Sequence, residues 1–286
     1  MGTVSPSTER GTRLGATAAL LMMGWLTVVL LIDSDGSRTT QWLTGAATWA
    51  ALAAAMRWCS PLVRAQTLVV VAFATAVEYT FSPGLEVYVY RFDNVPAYVP
   101  PGHGLVYLSA YALGHSPFVR RRLRAAAAVV MVPLALWAGY GLFLADRPDA
   151  LGAFWFVCLL CFLRWGPSPE VYVGAGVVVT WLELAGTHLG TWVWQTEDPV
   201  GWLSIGNPPS GAAGGYGWFD LVALLLAPLL LRWWAAVASR LRPVGDPVGD
   251  PAGDPATDPF TDPVRDPAEG APGEAGRPPV RDAGVS

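Results

Sequence analysis

The sequence predicts an all-α, polytopic integral membrane protein of about eight transmembrane helices, arranged as two parallel four-helix repeats and followed by a disordered C-terminal tail. Three observations predict it. Apolar residues make up 53% of the 286 and charged residues only 14%, a balance outside the soluble range. Five apolar runs, at 14–32, 62–81, 125–145, 171–186 and 219–237, come near the ~20 residues that carry a helix across about 30 Å of hydrocarbon. The basic residues, all 18 of them Arg, are segregated along the chain.

That segregation sets the number of spans and their direction. Arg10, Arg13, Arg57, Arg64, Arg120, Arg121, Arg122, Arg124, Arg164, Arg232, Arg240 and Arg242 fall in or beside alternate connections. The intervening loops hold only Arg38, Arg91 and Arg147, together with acids such as Asp33, Glu86, Asp149 and Asp198. The pattern alternates only if three shorter runs, 43–56, 103–118 and 150–163, also cross. Because Arg near span ends stays on the cytoplasmic side, both termini are expected there, in a multi-pass protein of the cell membrane.

In chain order, 1–13 is a polar cytoplasmic N-terminus, and the first run reads as a retained anchor because it is long and no small-x-small cleavage site precedes Asp33. The first four-span repeat is 14–118 and the second is 119–242. Span three ends near Ser82-Pro83, leaving Glu78 about one turn from its outer end, where an ionisable side chain is costly and therefore a functional candidate, or else snorkels to the headgroups. The outer loop 84–102 carries Tyr88, Tyr90 and Tyr98, suited to the interface. Pro100-Pro101 fits the first turn of span four, which puts His103 at a helix N-terminus as a neutral donor or acceptor, or as a simple capping residue. His115, beside the Arg120–Arg124 cluster, is expected to be solvated.

Pro133 and Gly139 are expected to kink span five. Cys158 and Cys161 inside span six read as packing residues. Span seven, from near Glu170, places Trp181 and Glu183 at the depth of Glu78. The loop 190–217 is glycine-rich, which permits close backbone approach to a ligand or plain flexibility. Asp220 opens span eight, where it either caps the helix or lines a cavity. The tail, 243–286, repeats Asp-Pro every four residues and can neither form a helix nor bury a core.

The two halves carry the same elements in the same order. Glu78, the triplet Tyr88-Val89-Tyr90, then Pro-Pro and Gly are matched by Glu183, Trp192-Val193-Trp194, then Asn207-Pro208-Pro209-Ser210-Gly211, and the spacing from the Glu to the first aromatic of the triplet is nearly equal in the two copies. Units with an even number of spans share one topology, so Glu78 and Glu183 are expected to face one another across a cavity open to the outside. All the polar intramembrane groups, with His188 at a span end, lie in the outer third, which argues against alternating access.

An outward site has no supply of ATP or reduced nicotinamide, and no cofactor, metal or nucleic-acid partner is expected. A carboxyl group withheld from water stays protonated more readily, as a general acid must. Aromatic faces stabilise a carbocation. Proton addition to an isoprenoid double bond, followed by water capture or ring closure, needs only these parts. The catalytic candidates are Glu183, Glu78, His103 and Asp220, and the substrate-binding candidates are Tyr88, Tyr90, Trp181, Trp192, Trp194 and Asn207. The sequence holds no HExxH pair, Gly-x-Ser-x-Gly elbow, Walker loop or dinucleotide fingerprint. The alternative is a non-catalytic membrane protein that binds lipid or a partner through its outer loops.

Glu78, Gly84 ahead of Tyr88-Val89-Tyr90, Val95-Pro96, and then Glu183, Gly190-Thr191-Trp192-Val193-Trp194 and Gly206-Asn207 resemble the motifs of the carotenoid hydratases of the bisanhydrobacterioruberin hydratase type. That family is similar in turn to the membrane lycopene cyclases. The resemblance covers two stretches, about a quarter of the chain, and implies hydration or cyclisation of a carotenoid. The chain departs from it at Pro100-Pro101-Gly102-His103-Gly104 and lacks the adjacent carboxylate pairs of the cyclases.

Overall fold

The computed structural model describes residues 12–241; the polar N-terminal segment and the Asp-Pro-rich tail expected to be disordered lie outside the described residues. The chain folds into helices α1 (Ala16–Asp35), α2 (Arg38–Met56), α3 (Pro61–Tyr79), α4 (Val99–Gly114), α5 (Pro117–Arg121), α6 (Leu123–Phe143), α7 (Ala150–Trp165), α8 (Pro169–His188) and α9 (Ala212–Leu241). Two three-residue strands, β1 (Tyr88–Tyr90) and β2 (Trp192–Trp194), complete it. Their starts are chemically marked. Ser60 and Ser116 each accept the amide three residues on, with Pro61 and Pro117 in the first turn, and the Asp149 carboxylate caps α7 through Gly152 N–H.

Among the described residues, four helices are long and apolar enough to cross a membrane: Ala16–Asp35, Pro61–Gly84, Leu123–Phe143 and Ala212–Arg240. Their outer faces present what a bilayer would cover, since Leu21 is 71% exposed, Leu136 71% and Phe143 78%, while Gln66, Thr67, Glu78, Glu183 and Asp220 are buried. A protein built for water sorts these residues the other way. At the centre, α4 and α8 are buried along most of their length. They run antiparallel at very close range: a Cβ on Gly114 would lie 2.0 Å from Glu170 O, and one on Gly174 2.0 Å from Ala110 O. Small residues are what let two helix backbones approach this far. Around that pair, α3 packs on α9 and on α4, and α7 packs on α9.

The structure corrects several sequence expectations. The apolar runs at 14–32 and 43–56 are joined by no long loop, because α1 runs to Asp35 and Ser37 starts α2 in a reciprocal capping box with Thr40. Helix α9 begins at Ala212, so the glycines at 214, 215 and 217 belong to a helix, not to a ligand loop. Their role is packing: a Cβ on Gly214 would lie 1.8 Å from Trp155 O, and one on Gly217 2.6 Å from the Phe162 ring. Asp220 consequently sits two turns inside α9 and cannot cap it. His115 is half-buried rather than solvated, its ring stacked on Tyr111.

The three arginines that break the charge pattern are all engaged with main chain. Arg38 donates to Phe92 O at 2.7 Å, and Arg91 donates to Asp33 O and Gly36 O. Arg147 donates to Ile205 O, Trp194 O and Gln195 O at 2.7, 2.7 and 2.6 Å. Two buried acids do similar work. Asp33 accepts from Gln41 and from Tyr98 OH, and Asp149 accepts Gly206 N–H, Ser210 N–H and Ser210 OH, which ties the long connection after β2 to the start of α7.

Candidate functional site

Strands β1 and β2 pair antiparallel with Tyr88 opposite Trp194, Val89 opposite Val193 and Tyr90 opposite Trp192. Further bonds, Gln195 N–H to Val87 O at 2.9 Å and Arg91 N–H to Thr191 O at 3.2 Å, close the ribbon at its ends. Alternation along each strand turns Tyr88, Tyr90, Trp192 and Trp194 inward, while Val193 is half exposed. The four inward rings line a cavity of about 550 Å³ whose walls also take Leu26, Val29 and Leu30 from α1, Phe73 and Val77 from α3, Trp155 from α7 and Phe219 from α9. It is apolar except for two carboxylates, an imidazole, the phenols and indoles, and Asp198.

Glu78, in the last turn of α3, is 5% exposed. Its Oε2 accepts from Tyr88 OH and Tyr90 OH, both at 2.9 Å, and its Oε1 lies 2.8 Å from His103 Nε2. Burial first, and the Glu78 carboxylate second, push both phenols in the ribbon well above their ordinary value, so they remain O–H donors.

Glu183, in α8, is 2% exposed. Its Oε2 accepts Trp192 Nε1–H at 3.0 Å and Trp194 Nε1–H at 3.1 Å, and its Oε1 receives Tyr216 OH at 3.3 Å. Indole nitrogens only donate, so Oε2 is held as an acceptor and any proton on this carboxyl group sits on Oε1. The Trp192 ring reaches Glu183 by crossing the face of Gly186, where a Cβ would lie 1.9 Å from the ring.

His103 and Tyr216 join the two carboxylates. Their rings stack at 5.2 Å with a 30° tilt, and Phe219 meets the imidazole edge-on at 5.5 Å. The other imidazole nitrogen, Nδ1, is buried without a hydrogen-bond partner.

Of the residues singled out from sequence, Glu78, Glu183, His103, Tyr88, Tyr90, Trp192 and Trp194 share this one cavity. The others stand apart from it. Asp220 lines a second, much smaller cavity together with His103 and Tyr216. Trp181 packs half-buried against the helical core, and Asn207 is exposed, acting on the site only by accepting Trp194 N–H at 3.0 Å. His188 is exposed at the end of α8. Sequence reasoning passed over Tyr216 and Trp155. Tyr216 was concealed by its glycine-rich surroundings, although it stands one helical turn before Asp220, as His103 stands one turn before Tyr107.

Among the described residues no three His, Cys, Asp or Glu side chains gather as metal ligands would. No protein-family model, no curated protein and no solved structure matches the chain.

Proposed function

We propose that the protein carries out cofactor-independent acid–base chemistry on an unsaturated isoprenoid lipid, of the hydration or cyclisation type known for the carotenoid hydratases and lycopene cyclases that its motifs resemble. The observation that carries this reading is the pair of buried carboxyl groups, Glu78 and Glu183, facing one apolar cavity walled by aromatic rings. Apolar walls fit a hydrocarbon chain. A carboxyl group with Oε2 fixed by two indoles aims its single proton from Oε1.

In the reaction, Glu183 gives that proton to a carbon–carbon double bond of the substrate. The cation lies against the ring faces of Trp192 and Trp194, with Tyr88 and Tyr90 opposite them. Glu78, with His103 on its Oε1, then takes the proton released when water adds or when ring closure ends in an alkene. One proton leaves Glu183 and one arrives on Glu78, so no redox partner is needed, and a proton passes back from Glu78 to Glu183 before the next turnover.

The same reading takes the chain as eight spans in two parallel repeats, with the 84–102 and 190–217 connections outside and both termini in the cytoplasm. Its support is the paired use of elements. Each half supplies a Glu, a three-residue strand and a ring from the following helix, and the ribbon is centred on Val89 opposite Val193. Contacts also reciprocate, α3 of the first half packing on α9 of the second while α8 of the second packs on α4 of the first. The twelve arginines in or beside the alternate connections outnumber the outer Arg38, Arg91 and Arg147, and that asymmetry supports the direction.

The test is mass spectrometry of lipid and pigment extracts from cells with and without the gene, repeated with Glu183→Gln. Expected is a product that disappears with the gene and with the variant, while the variant still elutes as a monodisperse species in detergent. Near-wild-type product from both Glu183→Gln and Glu78→Gln would leave lipid or partner binding as the function.

A further inference from the structure

Behind the main cavity lies the small one, about 10 Å³, enclosed where α3, α4, α8 and α9 meet. Its polar lining is His103, Tyr107, Tyr216 and Asp220. A space of ~10–15 Å³ by this measure holds one water molecule, provided polar groups surround it. One of the groups here needs a partner: His103, 5% exposed, has a buried Nδ1 with none while its Nε2 is taken by Glu78, and the carboxyl group of Asp220, also 5% exposed, lines the same cavity. The Tyr107 hydroxyl proton is already given to Gln66 Oε1 at 2.9 Å, and that of Tyr216 to Glu183. A buried ring nitrogen left unsatisfied beside a buried carboxyl group at one cavity is an arrangement that a single bridging water resolves.

We infer that Asp220, one buried water and His103 form a proton relay that ends on Glu78, making Asp220 a positioning and proton-storing residue rather than a group that touches substrate. The transfer balances as follows. Asp220 gives its proton to the water, the water gives one to His103 Nδ1, and His103 gives its Nε2 proton to Glu78 Oε1. One proton moves from Asp220 to Glu78 in total, and the imidazole changes tautomer without becoming charged. Run backwards, the same path takes the proton that Glu78 collects when water adds to the substrate. The catalytic use of the relay rests on the function proposed above; its geometry does not.

The experiment therefore needs no substrate. Full-length protein labelled with ¹⁵N-histidine in lipid nanodiscs contains three histidines, His103, His115 and His188, and His115→Gln and His188→Gln assign the His103 ring signals by elimination. Asp220→Asn is expected to move both His103 ring-nitrogen resonances and to change the ratio of its tautomers several-fold. Ala175→Val, which narrows the small cavity while leaving both polar groups in place, is expected to move them as well, because it displaces the water. His103 resonances unmoved by Asp220→Asn in a monodisperse sample would overturn the relay. A response to Asp220→Asn with none to Ala175→Val would overturn the bridging water. Loss of the lipid product assay would sink the catalytic reading alone and leave these spectra to stand or fall separately.

Discussion

The strand of the first half meets its buried carboxylate with hydroxyls, which both donate and accept hydrogen bonds, and the strand of the second half meets its own with indoles, which only donate. Around Glu78 stand two phenols and an imidazole; around Glu183 stand two indoles and one more distant phenol. Two paired three-residue strands deliver the tyrosines and the tryptophans, so the difference between these lies in the side chains and not in the backbone. It teaches that matching positions can be put to opposite uses. A carboxylate among hydroxyls and an imidazole exchanges protons with its neighbours, while one pinned by indoles keeps a fixed orientation and offers its proton in one direction.

The largest effect that would sharpen this contrast is loss of the donor. Glu183→Gln is expected to lower product per folded protein by roughly 10²–10⁴-fold, the usual worth of a positioned general acid, and to do so more severely than Glu78→Gln. Equal losses in the two variants, measured by chromatography of extracts, would break the assignment of donor and acceptor.

Next comes the packing that lets indoles reach Glu183. Gly186→Ala drives a Cβ into the Trp192 ring, a clash with atoms that cannot leave without giving up the bond to Glu183. We expect it to destabilise the protein by about 1–3 kcal/mol, read as a lower thermal midpoint in detergent. The corresponding place in the first half is occupied by Phe81 beside the smaller tyrosines, and Phe81→Leu should cost less.

Removing single donors separates the halves further. Trp194→Phe deletes one of the two bonds that fix Oε2 of Glu183 and should cost about 1–2 kcal/mol, whereas Tyr88→Phe leaves Glu78 with Tyr90 and His103 and should cost about 1 kcal/mol or less. Denaturation midpoints of the two variants provide the comparison.

The smallest effect is a titration. Tyr88 and Tyr90 are held well above 10.0 by burial and by Glu78, so the folded state disfavours their ionisation relative to the unfolded chain. Their contribution to stability is complete below 10.0 and declines as pH rises above it. The indoles of the facing strand, Trp192 and Trp194, do not titrate there. Ultraviolet titration should find fewer phenolates in native than in unfolded protein, with Tyr88→Phe and Tyr90→Phe each reducing the gap; an unchanged gap would show that other tyrosines account for it.

Much of this site was legible in the chain. A Glu one turn from the end of an apolar run, followed by an aromatic-Val-aromatic triplet, occurs twice, and both copies converge on one cavity. Alternation explains why a triplet works, since its first and third residues must share a face. The glycines after Asn207 read by composition as a loop, either approaching a ligand closely or simply flexible, but their reason is contact with α7, a property of a neighbour more than fifty residues away. That misreading placed the start of α9 too late and concealed Tyr216. Asp149, grouped from sequence with the outer acids, proved to be an anchor for backbone amides, and no local pattern announces the partners a long connection brings to it.

The register of the ribbon has a consequence for how such a site could arise. A three-residue strand paired middle to middle and antiparallel would make the same bonds with an identical strand, as across the twofold axis of a homodimer. Two separate copies of a half-length chain would, however, be bound to present identical carboxylates with identical partners. Placing both strands in one polypeptide frees each to mutate alone, so a tyrosine pair and a tryptophan pair can face each other across the same three rungs, and a symmetric ancestor would gain a division of labour that symmetry forbids.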